Sequence, residues 1–369
     1  GNLRMRWKNL APIAKSCRQV NRSRSSRQIF YREVFCEFSF SGKLISDSKH
    51  CRSYLPITTS MEEMMRKLIG PMLILMIFWI VAFVLWQGTG NPFFLFNFGY
   101  IGTAIGVGIG LYITVPKKKK PLARRITQLL VGIYMLGFLG LLKKENMQLE
   151  GFFLYLLSGF FAGSVIHYLI AKILGPVIFN RGYCGWACWT TMVLDFLPYK
   201  RNKAGRIGTK WELFRYLHFG LSLSLVLIAW NYSEVRPGLM DNSGFIWLVV
   251  GNICYYLAAV IMAFVLKDNR AFCKYLCPIT TIMKLSSRFS LMKIEGNREA
   301  CSGCGACSKA CPMDIDVKGY INSGLRVLST ECTFCLTCTT VCPENILAST
   351  TKVDMGGHEL ILRRKPPSC

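Results

Sequence analysis

The sequence predicts a polytopic α-helical membrane bundle of about six spans, followed by a small cysteine-rich α+β domain near the C-terminal end. Three observations predict it. Six long apolar segments fall between residues 67 and 266. Hydrophobic residues make up 52% of the chain, with 24 Phe, 15 Tyr and 8 Trp, a share above that of ordinary soluble domains. A cysteine pattern, CSGCGACSKACP at 301–312, returns as CTFCLTCTTVCP at 332–343.

The first sixty residues stand apart. They hold 12 Lys and Arg against 3 Asp and Glu, are rich in Ser, and show no sustained apolar period. Residues 1–60 are expected to be a disordered basic tail, or upstream sequence preceding a true start at Met61. They show no short apolar core with a small-residue cleavage site.

A bilayer-crossing helix needs roughly 20 apolar residues. On that measure the spans are 67–87, 93–114, 126–142, 151–178, 211–230 and 245–266, in a membrane domain covering 61–266. The third is short and the fourth long. Loop charge sets the orientation. VPKKKKPLARR, between spans two and three, carries six basic residues. The loop after span four holds Arg181, Lys200, Arg201, Lys203, Arg206 and Lys210. The alternate loops are neutral or balanced. Excess Lys and Arg marks the cytoplasmic side, so both termini and everything after residue 266 are expected there, in a prokaryotic plasma membrane. This placement accounts for much of the net charge of +25 without nucleic acid as a partner. Membrane lipid is the expected neighbour. GTAIGVGIG at 102–110 sits inside a span and lacks the Lys-Ser/Thr of a phosphate loop, so it reads as a close helix-packing face.

Residues 267–300 read as a cytoplasmic linker, 301–350 as a compact unit and 351–369 as a tail. The chain has 17 cysteines. Twelve form two C-x3-C pairs and two quartets, which points to metal or redox chemistry in a reducing compartment. Each quartet reads C-x2-C-x2-C-x3-C-P. Three thiolates at that spacing can wrap one face of an iron–sulfur cube. Gly303, Gly305 and Ala306 let the backbone approach, and the proline turns the chain away. Structural zinc favours two C-x2-C pairs far apart, and the three-plus-one rhythm fits iron–sulfur better.

Residues 301–350 resemble the bacterial two-[4Fe–4S] ferredoxin domain, a small α+β unit with two closely spaced clusters. The resemblance implies that the fourth cysteine of each quartet crosses to the other cluster. One set is then Cys301, Cys304, Cys307 and Cys342. The other is Cys332, Cys335, Cys338 and Cys311. The gap between Cys311 and Cys332 is longer than the pattern needs and implies an extra loop or turn.

The pairs lie in RGYCGWACW, with Cys184 and Cys188, and RAFCKYLCP, with Cys273 and Cys277. Each follows the cytoplasmic end of a span, and residues i and i+4 share a helix face. The bundle can bring the four sulfurs into one patch beneath the ferredoxin domain. Three readings stand side by side: a further cluster or metal, a redox-active thiol site, or packing and docking.

Taken together, residues 67–345 resemble the membrane polyferredoxins, which combine several spans, two C-x3-C-P motifs and a C-terminal two-cluster domain. Trp189 stands where that pattern has proline. The resemblance implies single-electron relay between a cytoplasmic donor or quinone and a respiratory redox partner. The alternative role it implies is a redox factor for maturing another metalloenzyme. It implies an electron-transfer subunit rather than a stand-alone enzyme. His167 and His218 lie within spans four and five and are candidates for a quinone site. Their unequal depths speak against a shared haem. Glu212 and Arg215 read as interfacial anchors.

Overall fold

A computed structural model describes residues 57–159, 163–232 and 242–364. The expected tail 1–60 lies almost wholly outside them. The chain divides after Thr59, and the unit described here begins at Ser60.

Five helices are long and apolar enough to cross a membrane: α1 (Met64–Thr89), α2 (Pro92–Thr114), α3 (Lys120–Leu142), and, later in the chain, Thr209–Asn231 and Gly244–Leu266. The fourth expected span is instead broken. A short helix α4 (Leu149–Leu157) ends where Gly159 takes a left-handed φ of 68°, the usual device for stopping a helix. A second apolar helix, α5 (Gly163–Phe179), follows and is too short to count with the other five. Apolar composition alone cannot show such a break.

Small residues set the packing of the first three helices. A Cβ on Gly102 would fall 2.2 Å from Phe78 Cβ, and one on Gly108 would fall 2.2 Å from Thr127 Oγ1. The glycine-rich face of α2 is therefore where α1 and α3 approach it. Two short helices, α6 (Gly182–Trp186) and α7 (Trp189–Leu194), carry the first C-x3-C pair. The two later long helices are α8 and α9 in chain order. Helix α10 (Ala271–Tyr275) carries Cys273, and α11 (Ile279–Ser287) begins just after Cys277.

The quartet domain is a two-stranded antiparallel sheet with three short helices. Strand β1 (Met292–Gly296) pairs with β2 (Leu347–Thr351), with Met292 opposite Thr351 and Gly296 opposite Leu347. The helices are α12 (Ala306–Ala310), α13 (Val317–Asn322) and α14 (Thr337–Val341). The long gap between the quartets contains α13, whose Tyr320 and Ile321 are buried in the domain core. Strand β1 arises from the stretch read as linker, and the segment after β2 folds back, with Ile361 bridging to Ile315.

The two quartets are conformational copies. Gly303 and Gly305 (both φ 69°) correspond to Phe334 (φ 48°) and Leu336 (φ 58°). Cys311 and Cys342 end their helices at φ −69°, ψ 117° and φ −71°, ψ 117°. Three residues after each, Asp314 and Asn345 share φ 56°. The second copy holds two bulky residues where L-amino acids rarely go. Such conformations persist only where the surroundings enforce them.

Candidate metal centres

The quartet domain holds two recesses. One is lined by Cys301, Cys304, Cys307 and Cys342, with Gly305, Lys318 and Ile321. The other is lined by Cys311, Cys332, Cys335 and Cys338, with Ile294, Met313 and Phe334. Each recess thus gathers three cysteines of one quartet and the fourth of the other. Among the described residues, no three His, Cys, Asp or Glu side chains are arranged to hold a single metal ion. A four-iron cube is much larger than one ion and spreads its ligands apart. The chemistry of the donor set, four cysteines and mostly apolar walls, fits such a cube.

The recesses differ in exposure. Cys304 is exposed, and the backbone N–H of Ala306 with the Ser302 hydroxyl lowers its thiol pKa. Cys311 and Cys332 are pushed up to about 12 by burial. Buried thiols of this kind ionise readily only when a metal takes the sulfur. The first recess is therefore the outer one.

The inner quartet lies against the first C-x3-C loop. Arg181 N–H donates to Cys332 O at 3.2 Å. Trp186 Nε1 donates to Phe334 O at 2.9 Å, and Tyr112 OH to Leu336 O at 3.3 Å. A Cβ on Gly185 would lie 2.3 Å from Thr333 O and 3.5 Å from Cys335 Cα.

A buried carboxylate fastens this contact. Glu331, next to Cys332, meets Arg181 at 2.9 Å, Arg206 at 3.2 Å, Arg215 at 2.8 Å and Lys284 at 2.7 Å. Burial alone would raise its pKa, but Arg206, Arg181 and Arg215 hold it well below the usual carboxylate range. Arg215 is only 1% exposed. Arg215 is therefore a buried member of this ion network rather than an interfacial anchor, drawn inward by Glu331, and the half-buried Glu212 pairs with it at 3.1 Å. Likewise Arg124, Arg181 and Arg206, which looked like loop charges, are buried and paired. Asp195 holds Arg270 at 2.7 Å and Arg124 at 2.8 Å.

The four pair cysteines converge. All six pairings among Cys184, Cys188, Cys273 and Cys277 interact electrostatically. Burial raises the Cys184 and Cys273 thiols and pushes Cys277 to about 12. As free thiols they are poor nucleophiles. Beside them lies Lys172, fully buried, with Nζ 3.5 Å from the centre of the Tyr168 ring and 4.9 Å from that of Trp189. The sequence reading passed over it, although a lone lysine in an apolar run, HYLIAKILGP, was the available signal.

The histidines are set apart in role. His167 packs against Tyr183 and Trp189, at 5.4 and 6.5 Å between rings. His218 donates through Nδ1 to Leu276 O at 2.8 Å, and Tyr255 OH stands 3.5 Å from its Nε2. Tyr255 OH also reaches Glu150 Oε1 at 3.5 Å, where Ser222 donates at 2.7 Å.

Comparison with known proteins agrees with this architecture. Residues 293–348 match a 4Fe-4S dicluster domain family, and residues 161–207 and 253–296 match a 4Fe-4S binding domain family. A methylamine utilization ferredoxin-type protein of Paracoccus denitrificans is 30% identical over 174 residues, covering 42% of this chain and 59% of that protein. A ferredoxin-type protein of Haemophilus influenzae is 27% identical, covering 53% of this chain and 70% of that protein.

The chain is thus similar to the membrane polyferredoxins. A putative electron transport protein of Escherichia coli is a further relative, 28% identical, covering 47% of this chain and 52% of that protein. The chain thus spans only about half to three-fifths of two of these relatives. No solved structure matches it. Five helices long and apolar enough to cross a membrane, together with matches to two 4Fe-4S families, describe a multi-pass membrane protein with iron–sulfur domains.

Proposed function

We propose that this protein works as a membrane polyferredoxin, relaying single electrons between a cytoplasmic donor, or quinone, and a membrane redox partner. The ligands are Cys301, Cys304, Cys307 and Cys342 in the outer recess, and Cys332, Cys335, Cys338 and Cys311 in the inner one. A [4Fe–4S] cluster bound in each recess would supply one-electron chemistry there. Cys304, the exposed member, gives a soluble protein its nearest approach, and Lys318 beside it offers a positive contact. Gly185 and Trp186 hold the inner loop against the bundle. The sites therefore line up as outer recess, inner recess and thiol patch.

The observation that carries this reading is the pairing of three cysteines from one quartet with the fourth from the other in both recesses. The test is re-oxidation. Protein in lipid, reduced anaerobically, should be re-oxidised by a short-chain quinone or by membranes at a rate that slows when Trp186→Ala loosens the contact. Rates that do not respond to acceptor or to that substitution contradict the relay.

A further inference from the structure

We infer that the end of α11 and the loop 352–357 form an apolar foot that sets the quartet domain into the membrane surface, with phospholipid as its occupant. This goes beyond the relay reading and does not depend on it.

The foot stands beside the bundle. Ile279 and Ile282 of α11 join Phe219 of α8 and Tyr168 of α5 in one apolar cluster. Just past α11, Leu291 N–H donates to Val177 O at 2.9 Å and Ser290 Oγ to Ile178 O at 3.4 Å, both in the last turn of α5. The loop 352–357 is laid across this same stretch. Lys352 N–H donates to Leu291 O at 3.1 Å, and Gly356 N–H to Arg288 O at 2.6 Å. Leu291 thus bridges Val177 on one side and Lys352 on the other. Two strand spacings of roughly 4.8 Å place the loop about 10 Å from the end of α5.

What these segments turn outward is apolar. Val353 is 93% exposed and Met355 71%. Leu285 and Phe289, four positions apart, are exposed too, as are Leu174 and Ile178 on the neighbouring α5. Apolar residues exposed one at a time are ordinary, whereas a run of them marks an interaction surface. Here the run continues the outer face of a membrane helix, so lipid that covers Leu174 and Ile178 also reaches Phe289 and the loop. The one acid in the loop is held the other way. Asp354 is half-buried and paired with Lys293 and with Arg326, the latter at 3.2 Å. Exposed Arg288 and Lys352 edge the patch, Lys352 reaching Glu295 at 2.7 Å. Apolar side chains with basic neighbours suit the boundary between acyl chains and anionic headgroups.

The test is photolabelling of the full chain in vesicles of phosphatidylethanolamine and phosphatidylglycerol. These carry a phospholipid with a diazirine near the glycerol end of its acyl chain, and adducts are mapped on peptides. The expected result is lipid adducts at 285–289 and 353–355 as well as at 174–178. Adducts at 174–178 with none at 353–355 overturn the inference. So does modification of Val353 and Met355 by a water-soluble carbene reagent at the level of exposed Lys203. Crosslinks from 353–355 to another protein or a second copy in intact membranes, with no lipid adduct there, overturn it as well. In the double variant Val353→Asp, Met355→Asp, adducts at 353–355 should fall to background while those at 174–178 and the iron content persist. Adducts that persist at 353–355 in that variant contradict the apolar foot. The wild-type map decides the matter should the variant fail to fold.

Discussion

Gly185 and Cys335 meet backbone to backbone: a Cβ on Gly185 would stand 3.5 Å from Cys335 Cα and only 2.3 Å from the Thr333 oxygen. The first C-x3-C loop and the inner quartet are thus in van der Waals contact across the boundary between bundle and domain. Only a residue without a side chain permits it.

Gly185→Val should therefore separate the two. The obstacle is a backbone oxygen, which cannot swing aside. Overpacking of this kind costs about 1–3 kcal/mol. Thermal unfolding should occur earlier, and re-oxidation of the reduced protein by a membrane acceptor should slow. Ser at this position should behave between Gly and Val.

Glu331 supplies a pH-dependent latch. Its folded pKa is depressed by Arg206, Arg181 and Arg215. A depressed carboxylate contributes stability that is complete above its unfolded value, near 4.3, and is lost as pH falls through the folded value. Wild-type stability should thus decline on acidification below about pH 4.3. Glu331→Gln leaves buried cations unpaired, a loss of about 3–5 kcal/mol, and its acid decline should be shallower. Fluorescence of Trp186, which bonds to Phe334 O, reports the contact.

The paired backbone positions in the quartets should respond unequally. Gly303→Val forces a β-branched residue into φ 69°, at about 1–2 kcal/mol. Phe334→Gly relieves the same strain, yet Phe334 is buried in the domain core, and emptying such a site costs about 3–5 kcal/mol. Thermal denaturation of both variants should rank Phe334→Gly as the less stable.

What the sequence made legible was local. Quartet spacing announces itself within twelve residues, and five spans follow from apolar length. The break after Leu157 was hidden because Gly159 ends the helix by its φ, not by polarity. The ion networks were hidden for another reason. Glu331 and Arg181 are 150 positions apart, and no local pattern pairs them. Arg215 looked like a snorkelling anchor because its charge was visible and its partner was not.

The crossing of the fourth cysteines is tested most directly by potentiometric electron paramagnetic resonance of Cys342→Ser. Although Cys342 sits in the second motif, the recess geometry assigns it to the outer site, with Cys304. Its substitution should perturb the same signal that Cys304→Ser perturbs and leave intact the one that Cys335→Ser alters. If Cys342→Ser instead reproduces the Cys335→Ser spectrum, or the folded wild type proves free of iron, the account is contradicted.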